Sequence, residues 1–300
     1  INDRAYIRKG WKLLKELNEM RSLNEDARTF IYSIREENGL LHANTCTKEA
    51  LVKTYKDFAP FFEKKYKKQK GRLRFVDFNQ GVDARLFNND RVGLLSQIPV
   101  RPLRIAFDDI KTEKVYTKAL TMSVDAGMKD FSNYLLYNFR DTPQDLYHRL
   151  RVNVDLCESL DVSIYSFPMK YHPIRGEHSH DRDYIGEHWN RKYIRAVQAI
   201  LNATKGKIGR GMSFFEKAFG KNVDEYMELL IMPETFLLFR FFFEHLGYTK
   251  QWREAMRTLT DSERSELYPI IFKNDFNHIE DLTDNEKFRY ILTFYKNYRG

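Results

Sequence analysis

Arg72-Leu-Arg-Phe-Val-Asp-Phe-Asn-Gln-Gly-Val-Asp-Ala-Arg85 opens the stretch whose reading decides the fold. Three more segments follow: Pro102-Leu-Arg-Ile-Ala-Phe-Asp-Asp109, Asp130-Phe-Ser-Asn-Tyr-Leu-Leu-Tyr-Asn-Phe139 and Asp161-Val-Ser-Ile-Tyr-Ser-Phe-Pro-Met-Lys-Tyr171. Each is an apolar or aromatic run of strand length that ends in polar groups. Helical patterns separate them, from Asn89 to Gln97, Glu113 to Ala126 and Pro143 to Leu160. Strand alternating with helix at this spacing predicts βαβ units and a parallel sheet. Ligands of such sheets sit beyond the carboxyl ends of the strands. The polar residues that close the runs are therefore the first candidates for chemistry: Asn79, Gln80, Asp83, Arg85, Asp108, Asp109, Asn133, Asn138, Met169 and Lys170.

Outward from this block, the chain reads as helical. Ile7, Trp11, Leu14 and Leu17 mark one helix face, and Asp26 to Glu37 a second helix. Gly39 to Thr45 suits a short strand, and Thr47 to Lys67 a helix in which Pro60 is a point of kinking. Asn88-Asn89 and Asp141-Thr-Pro-Gln are helix starts, and Gly127 suits a left-handed helix end. After Tyr171 the chain turns polar, and from about 185 onward it reads as all-helical. The expected division is thus 1–175 for the strand-rich part, strongest at 72–171, and 176–300 for a helical domain, with 172–188 connecting them.

Composition bounds the function. The 300 residues are 42% hydrophobic and 15% aromatic, which is ample for a core. No apolar run approaches the roughly 20 residues that cross a bilayer, so no membrane partner is expected. Only Cys46 and Cys157 occur, far apart, which excludes a disulfide framework and suggests a reducing, cytoplasmic setting. The net charge of +8 suits a phosphate-bearing or RNA partner, or simply a solvated basic surface. Lys64-Lys-Tyr-Lys-Lys-Gln-Lys70 follows a helical pattern, where lysines also answer the helix dipole.

The four runs and their turns resemble the later strands of the radical S-adenosylmethionine enzymes. Val76 to Leu86 resembles a middle strand and turn of that family, and Arg104-Ile-Ala-Phe-Asp-Asp109 the next strand. Tyr134-Leu-Leu-Tyr-Asn-Phe-Arg-Asp-Thr-Pro-Gln-Asp-Leu146 is similar to the strand followed by an acidic helix start, and Phe167-Pro-Met-Lys-Tyr-x-Pro173 to the last strand end. The resemblance covers about a hundred residues and extends loosely to His188-Trp-Asn-Arg191. It implies an α/β fold, a partial (βα) barrel that lacks its N-terminal segment, followed by an all-helical extension. It also implies S-adenosylmethionine and a [4Fe-4S] cluster as cofactors, hydrogen abstraction from an unknown substrate, and an electron donor such as flavodoxin or ferredoxin.

Two departures qualify that implication. Asn138 stands where the family usually has Gly, and Asp108 or Asp109 where it has Glu. The Cys-x-x-x-Cys-x-x-Cys that ligates the cluster is absent, so its ligands are expected upstream of Ile1, in a chain that lacks its start. On the resemblance, Gln80, Asp83, Arg85, Asp108, Asp109, Asn133 and Asn138 hold the cofactor, with Arg85 a partner for its carboxylate; no residue of this chain is assigned to bond breaking. The residues alone leave other roles open: Asp83 and Arg85 as a pair that fixes a turn, Asp108-Asp109 as a helix cap, and Asn138 as a turn residue. The rival site is His178, His180, Asp181 and His188, a ligand set for a metal-dependent hydrolase. A non-catalytic basic RNA-binding module is the third reading.

Overall fold

The computed structural model describes residues 3–66, 74–179, 181–206 and 208–296. The chain divides into two compact units, Ile1–Arg74 and Phe75–Gly300. The first is helical: α1 (Asp3–Asn18), α2 (Glu25–Glu37), α3 (Lys48–Lys53) and α4 (Tyr55–Tyr66). Leu14, Leu17, Leu23, Ile31, Leu40, Cys46 and Phe58 form its core. The break expected at Pro60 falls instead at Thr54, whose hydroxyl donates to the Ala50 carbonyl at 2.8 Å, and Pro60 lies inside α4. Gly39 to Thr45 forms turns rather than a strand, held by the Thr45 hydroxyl on the carbonyls of Gly39 and His42.

In the second unit, α5 (Asn89–Ser96) precedes β1 (Leu103–Arg104), α6 (Glu113–Asp125), β2 (Asp130–Tyr137), α7 (Pro143–Ser159) and β3 (Ser163–Lys170). The strands pair in parallel in the order β1-β2-β3, with Arg104 opposite Ser132 and Tyr134 opposite Phe167. α7 begins with a reciprocal cap between Thr142 and Asp145 and has Pro143 in its first turn, as its sequence signals. Gly127 closes the turn after α6 at φ +90°.

Helices α8 (Arg191–Ala203), α9 (Met212–Phe219), α10 (Val223–Ile231), α11 (Glu234–Leu238) and α12 (Arg240–His245) come next. They are followed by α13 (Tyr248–Arg257), α14 (Asp261–Lys273), α15 (Ile279–Leu282) and α16 (Glu286–Thr293). One continuous core joins sheet and helices, from Leu103 and Phe131 through Val197 and Tyr226 to Trp252 and Leu292. No helix among the described residues is long and apolar enough to cross a membrane.

The expected partial (βα) barrel is not the fold. Most described residues are helical, and the sheet has three strands and does not close. Closing a sheet into a barrel needs more strands with matched tilt and stagger. Here the first 74 residues build a helical unit of their own. The run from Arg72 to Arg85 gives single bridges only, Val76 with Val100 and Val82 with Ile105, because the Phe78–Gly81 turn divides it. Arg72 and Leu73 lie outside the described residues. Beyond β3, Ile208 pairs antiparallel to Ser166 and ends the parallel order on that side.

Candidate functional site

Strand alternation sorts β1, β2 and β3 onto two faces. Leu103, Phe131, Asn133, Leu135, Tyr137, Ile164 and Ser166 are buried on the side packed by α6 and α7. Arg104, Ser132, Tyr134, Leu136, Tyr165, Phe167 and Met169 alternate to the other side, where Tyr165 and Met169 are exposed. Parallel sheets are normally covered on both faces. This second face and the loops at its carboxyl end form the candidate site.

The open face is preordered around Arg104. Its Nε and Nη2 donate to the two oxygens of Asp77 at 2.9 and 3.0 Å, and its Nη1 donates to the Ser132 hydroxyl at 3.0 Å. The guanidinium lies 5.2 Å from the centre of the Tyr134 ring, which stands 6.0 Å from Phe167. The hydrogen bonds from Arg104 hold the Asp77 carboxyl below its usual range. Asp108 is exposed at the end of the second run, and one of its oxygens accepts the Leu136 N–H at 3.3 Å.

A buried cation fixes the strand ends. Arg149 of α7 donates to the carbonyls of Phe107 and Leu136 at 3.3 and 2.9 Å and to the Asp141 carboxylate at 2.9 Å. Burial pushes the Asp141 carboxyl up, against the pull of the Phe139 N–H and Arg149. Asn138 then joins three segments: its Nδ2 donates to the carbonyls of Tyr171 and Tyr184, and its Oδ1 accepts the Gly186 N–H at 2.8 Å. Its φ of +72° is left-handed, a conformation Asn adopts more readily than most residues with a side chain. A Cβ on Gly186 would sit 2.5 Å from the Phe139 carbonyl oxygen, so glycine is required there.

The remaining sequence candidates are placed as follows. Arg85 is exposed and Asp83 partly so, and they hold each other through a forked pair, Nη2 to Oδ2 at 2.6 Å and Nε to Oδ1 at 2.9 Å, which lowers the Asp83 carboxyl to about 2. Asp83 also caps the turn by accepting the Arg85 N–H. Gln80 is exposed in the turn before Gly81. Asp109 caps the short turn Ile110–Thr112 by accepting the Lys111 N–H at 2.9 Å. Asn133 faces the helices, where it donates to Tyr116, Tyr116 donates to Asn153, and Asn153 donates to Ser166. Sequence reading missed Asp77, Arg104, Ser132 and Tyr134; position within the strand, not at its end, is the signal that finds them.

The histidine set does not gather. His178 and His188 are exposed, Asp181 accepts the Asp183 N–H, and His180 lies outside the described residues. Among the described residues no group of three or more His, Cys, Asp or Glu could hold a metal ion. Nor do the residues present fit an iron–sulfur cluster. Cys46 is in the core of the first unit and Cys157 in that of the second, and burial pushes both thiols up. The Cys157 sulfur is further engaged by the Ile164 N–H at 3.2 Å.

No family model matches the sequence, and neither a curated protein nor a solved structure matches it.

Proposed function

We propose that the unit 75–300 is the ligand-holding part of a radical S-adenosylmethionine enzyme, and that it binds S-adenosylmethionine along the open sheet face and its carboxyl end. The observation that carries this reading is the partly exposed face of a parallel sheet that carries a held guanidinium beside two neighbouring rings, with an exposed carboxylate at its carboxyl end. The free oxygen of Asp108 suits the ligand's amine or ribose hydroxyls. The faces of Tyr134 and Phe167 suit adenine stacking and a sulfonium cation. Arg104, held by Asp77, keeps Tyr134 in place and offers positive charge toward the ligand's carboxylate. The class performs reductive cleavage of adenosylmethionine and hydrogen abstraction, and to the residues of this chain we assign binding and orientation only.

Equilibrium dialysis of labelled S-adenosylmethionine against the 300-residue chain tests the reading. Saturable binding is expected, weakened in the double variant Asp108→Ala/Tyr134→Ala and unchanged in His178→Ala. A wild-type chain that retains no ligand, or a double variant that retains it fully, defeats the proposal.

A further inference from the structure

A cavity of about 420 Å³ opens beyond the carboxyl end of β3, between residues 182–185 and α8. That volume lies in the range of small-molecule sites. Its lining includes Lys170, Arg182, Arg191 and Arg195, with Asp183 the only acid among the lining residues. Nearby carboxylates do not neutralise all four cations. Glu234 is taken by Arg195, with Nη2 to Oε1 at 2.5 Å. Asp183 meets Arg191 only at 3.8 Å, and Asp181 is turned to the Asp183 N–H while attracting Lys170 through space. Arg182 has no side-chain partner among the described residues; its carbonyl accepts the Lys170 ammonium at 2.6 Å.

Electrostatics of the helix sharpen the point. α8 has no acid in its first turn, yet carries Arg191, Lys192 and Arg195 near its N-terminal end. Cations there oppose the helix dipole, where an anion is favoured. Lys170 is half-buried, and its ammonium is disfavoured by burial and by Arg191 despite Asp183 and Asp181. Lys170, Arg182 and Arg191 face one cavity with only a distant Asp183 opposite them and a like-signed helix end beside them, an excess of charge that a bound anion removes.

We infer that this cavity is a phosphate site, and that it takes the phosphomonoester group of a small substrate. Arg182 and Arg191 supply forked donors to the phosphate oxygens, and Lys170 supplies a point charge. This goes beyond adenosylmethionine binding, since it names an anionic substrate in a cavity whose lining residues the cofactor reading does not assign.

The test is calorimetric titration of the full chain with inorganic phosphate and with pyrophosphate, repeated on Arg182→Gln/Arg191→Gln and on Lys170→Met. Saturable binding is expected that weakens with added salt. The double variant should lose roughly tenfold or more in affinity, the worth of at least one charge-assisted hydrogen bond. Its thermal midpoint should not fall, because both side chains are exposed. Binding that is absent in wild type, or equal in wild type and both variants, overturns the phosphate site. Adenosylmethionine dialysis on the same samples separates the two proposals: phosphate bound without adenosylmethionine leaves this site standing and sinks the cofactor reading, and the reverse sinks this site alone.

Discussion

The two faces of the β1–β3 sheet are made by alternate residues of the same strands, yet they answer their polar groups differently. On the helix-covered face each polar side chain has a protein partner: Asn133, Tyr116, Asn153 and Ser166 form one chain of hydrogen bonds, and Arg149 ties strand ends to Asp141. On the open face Arg104 and Ser132 are partnered, but one Asp108 oxygen has no partner among the described residues, and Tyr165 and Met169 stand exposed. The first face is finished as structure. The second retains capacity for a ligand. Removing side chains from each in turn measures that difference.

Arg149 gives the largest expected effect. Arg149→Met leaves a half-buried Asp141 carboxylate and two strand-end carbonyls without their donor. The loss of a buried partner of this kind costs about 3–5 kcal/mol. Urea denaturation of the full chain should show it as a lower midpoint. Arg104→Gln on the open face should cost about 1 kcal/mol or less, in the range of a partly solvated pair. Equal losses at the two positions would erase the distinction between the faces.

The same contrast between complete and partial answers to burial recurs at Lys192. Its ammonium is fully buried with one hydrogen bond, to the Met232 carbonyl, and lies 5.8 Å from the Tyr295 ring. Burial lowers it from 10.5 to about 7. The unfolded chain keeps that proton up to about 10.5, so between pH 7 and 10.5 the unfolded state binds more protons and the residue's contribution to stability rises with pH. Below pH 7 both states are protonated, and the full penalty, on the order of 3–5 kcal/mol, is present. Lys192→Met should therefore stabilise the protein most at pH 6 and progressively less toward pH 10. A variant whose advantage is constant across that range would show that the lysine is not titrating in the fold.

How legible was this in the sequence? The helices after each apolar run, the caps at Asn88, Thr142 and Gly127, and the parallel order of the last three runs follow from local rules, and they are found. Barrel closure was not legible, because it depends on what the first 74 residues do, and their helical faces pack with one another. The run at Arg72–Arg85 has strand composition, but the turn at Phe78–Gly81 cuts it into two bridging points. Site residues failed for a different reason. Polarity at a strand end does not say which face a residue occupies, and one step along β2 puts Asn133 on the helix-packed face while Ser132, itself buried, and Tyr134 alternate to the other. Asn138 and Asp109 were polar because turns and caps need them.

Adjacent positions on β2 make the next comparison. Asn133→Ala leaves Tyr116 and Asn153 each short of a partner in a dry site, for about 1–3 kcal/mol. Ser132→Ala removes the acceptor of one Arg104 N–H at a buried position of the other face, where Arg104 keeps Asp77, and should cost about 1 kcal/mol or less. Thermal melts of the two variants, one residue apart, read the pleat directly. A larger loss at Ser132 than at Asn133 would reverse the assignment of faces.

Asp83 and Arg85 should move stability least, and they sharpen the comparison from the solvent side. Their fork is exposed and screened by salt, so Arg85→Gln should leave the urea midpoint where it is at neutral pH. The signature is in titration. The Asp83 carboxyl sits at about 2 because Arg85 donates to it through side chain and backbone, and Arg85→Gln removes the side-chain donors while keeping the backbone N–H. Carboxyl NMR should then find Asp83 titrating closer to its ordinary 3.8. The sign also follows: a depressed carboxyl contributes stability above its unfolded value and loses it as pH falls toward 2, so any effect of the variant is confined to acid. An Asp83 that stays at about 2 without the guanidinium would mean that the turn's own N–H groups suffice. Arg85 would then be free to turn its fork toward the carboxylate of a ligand, which the paired geometry now withholds from it.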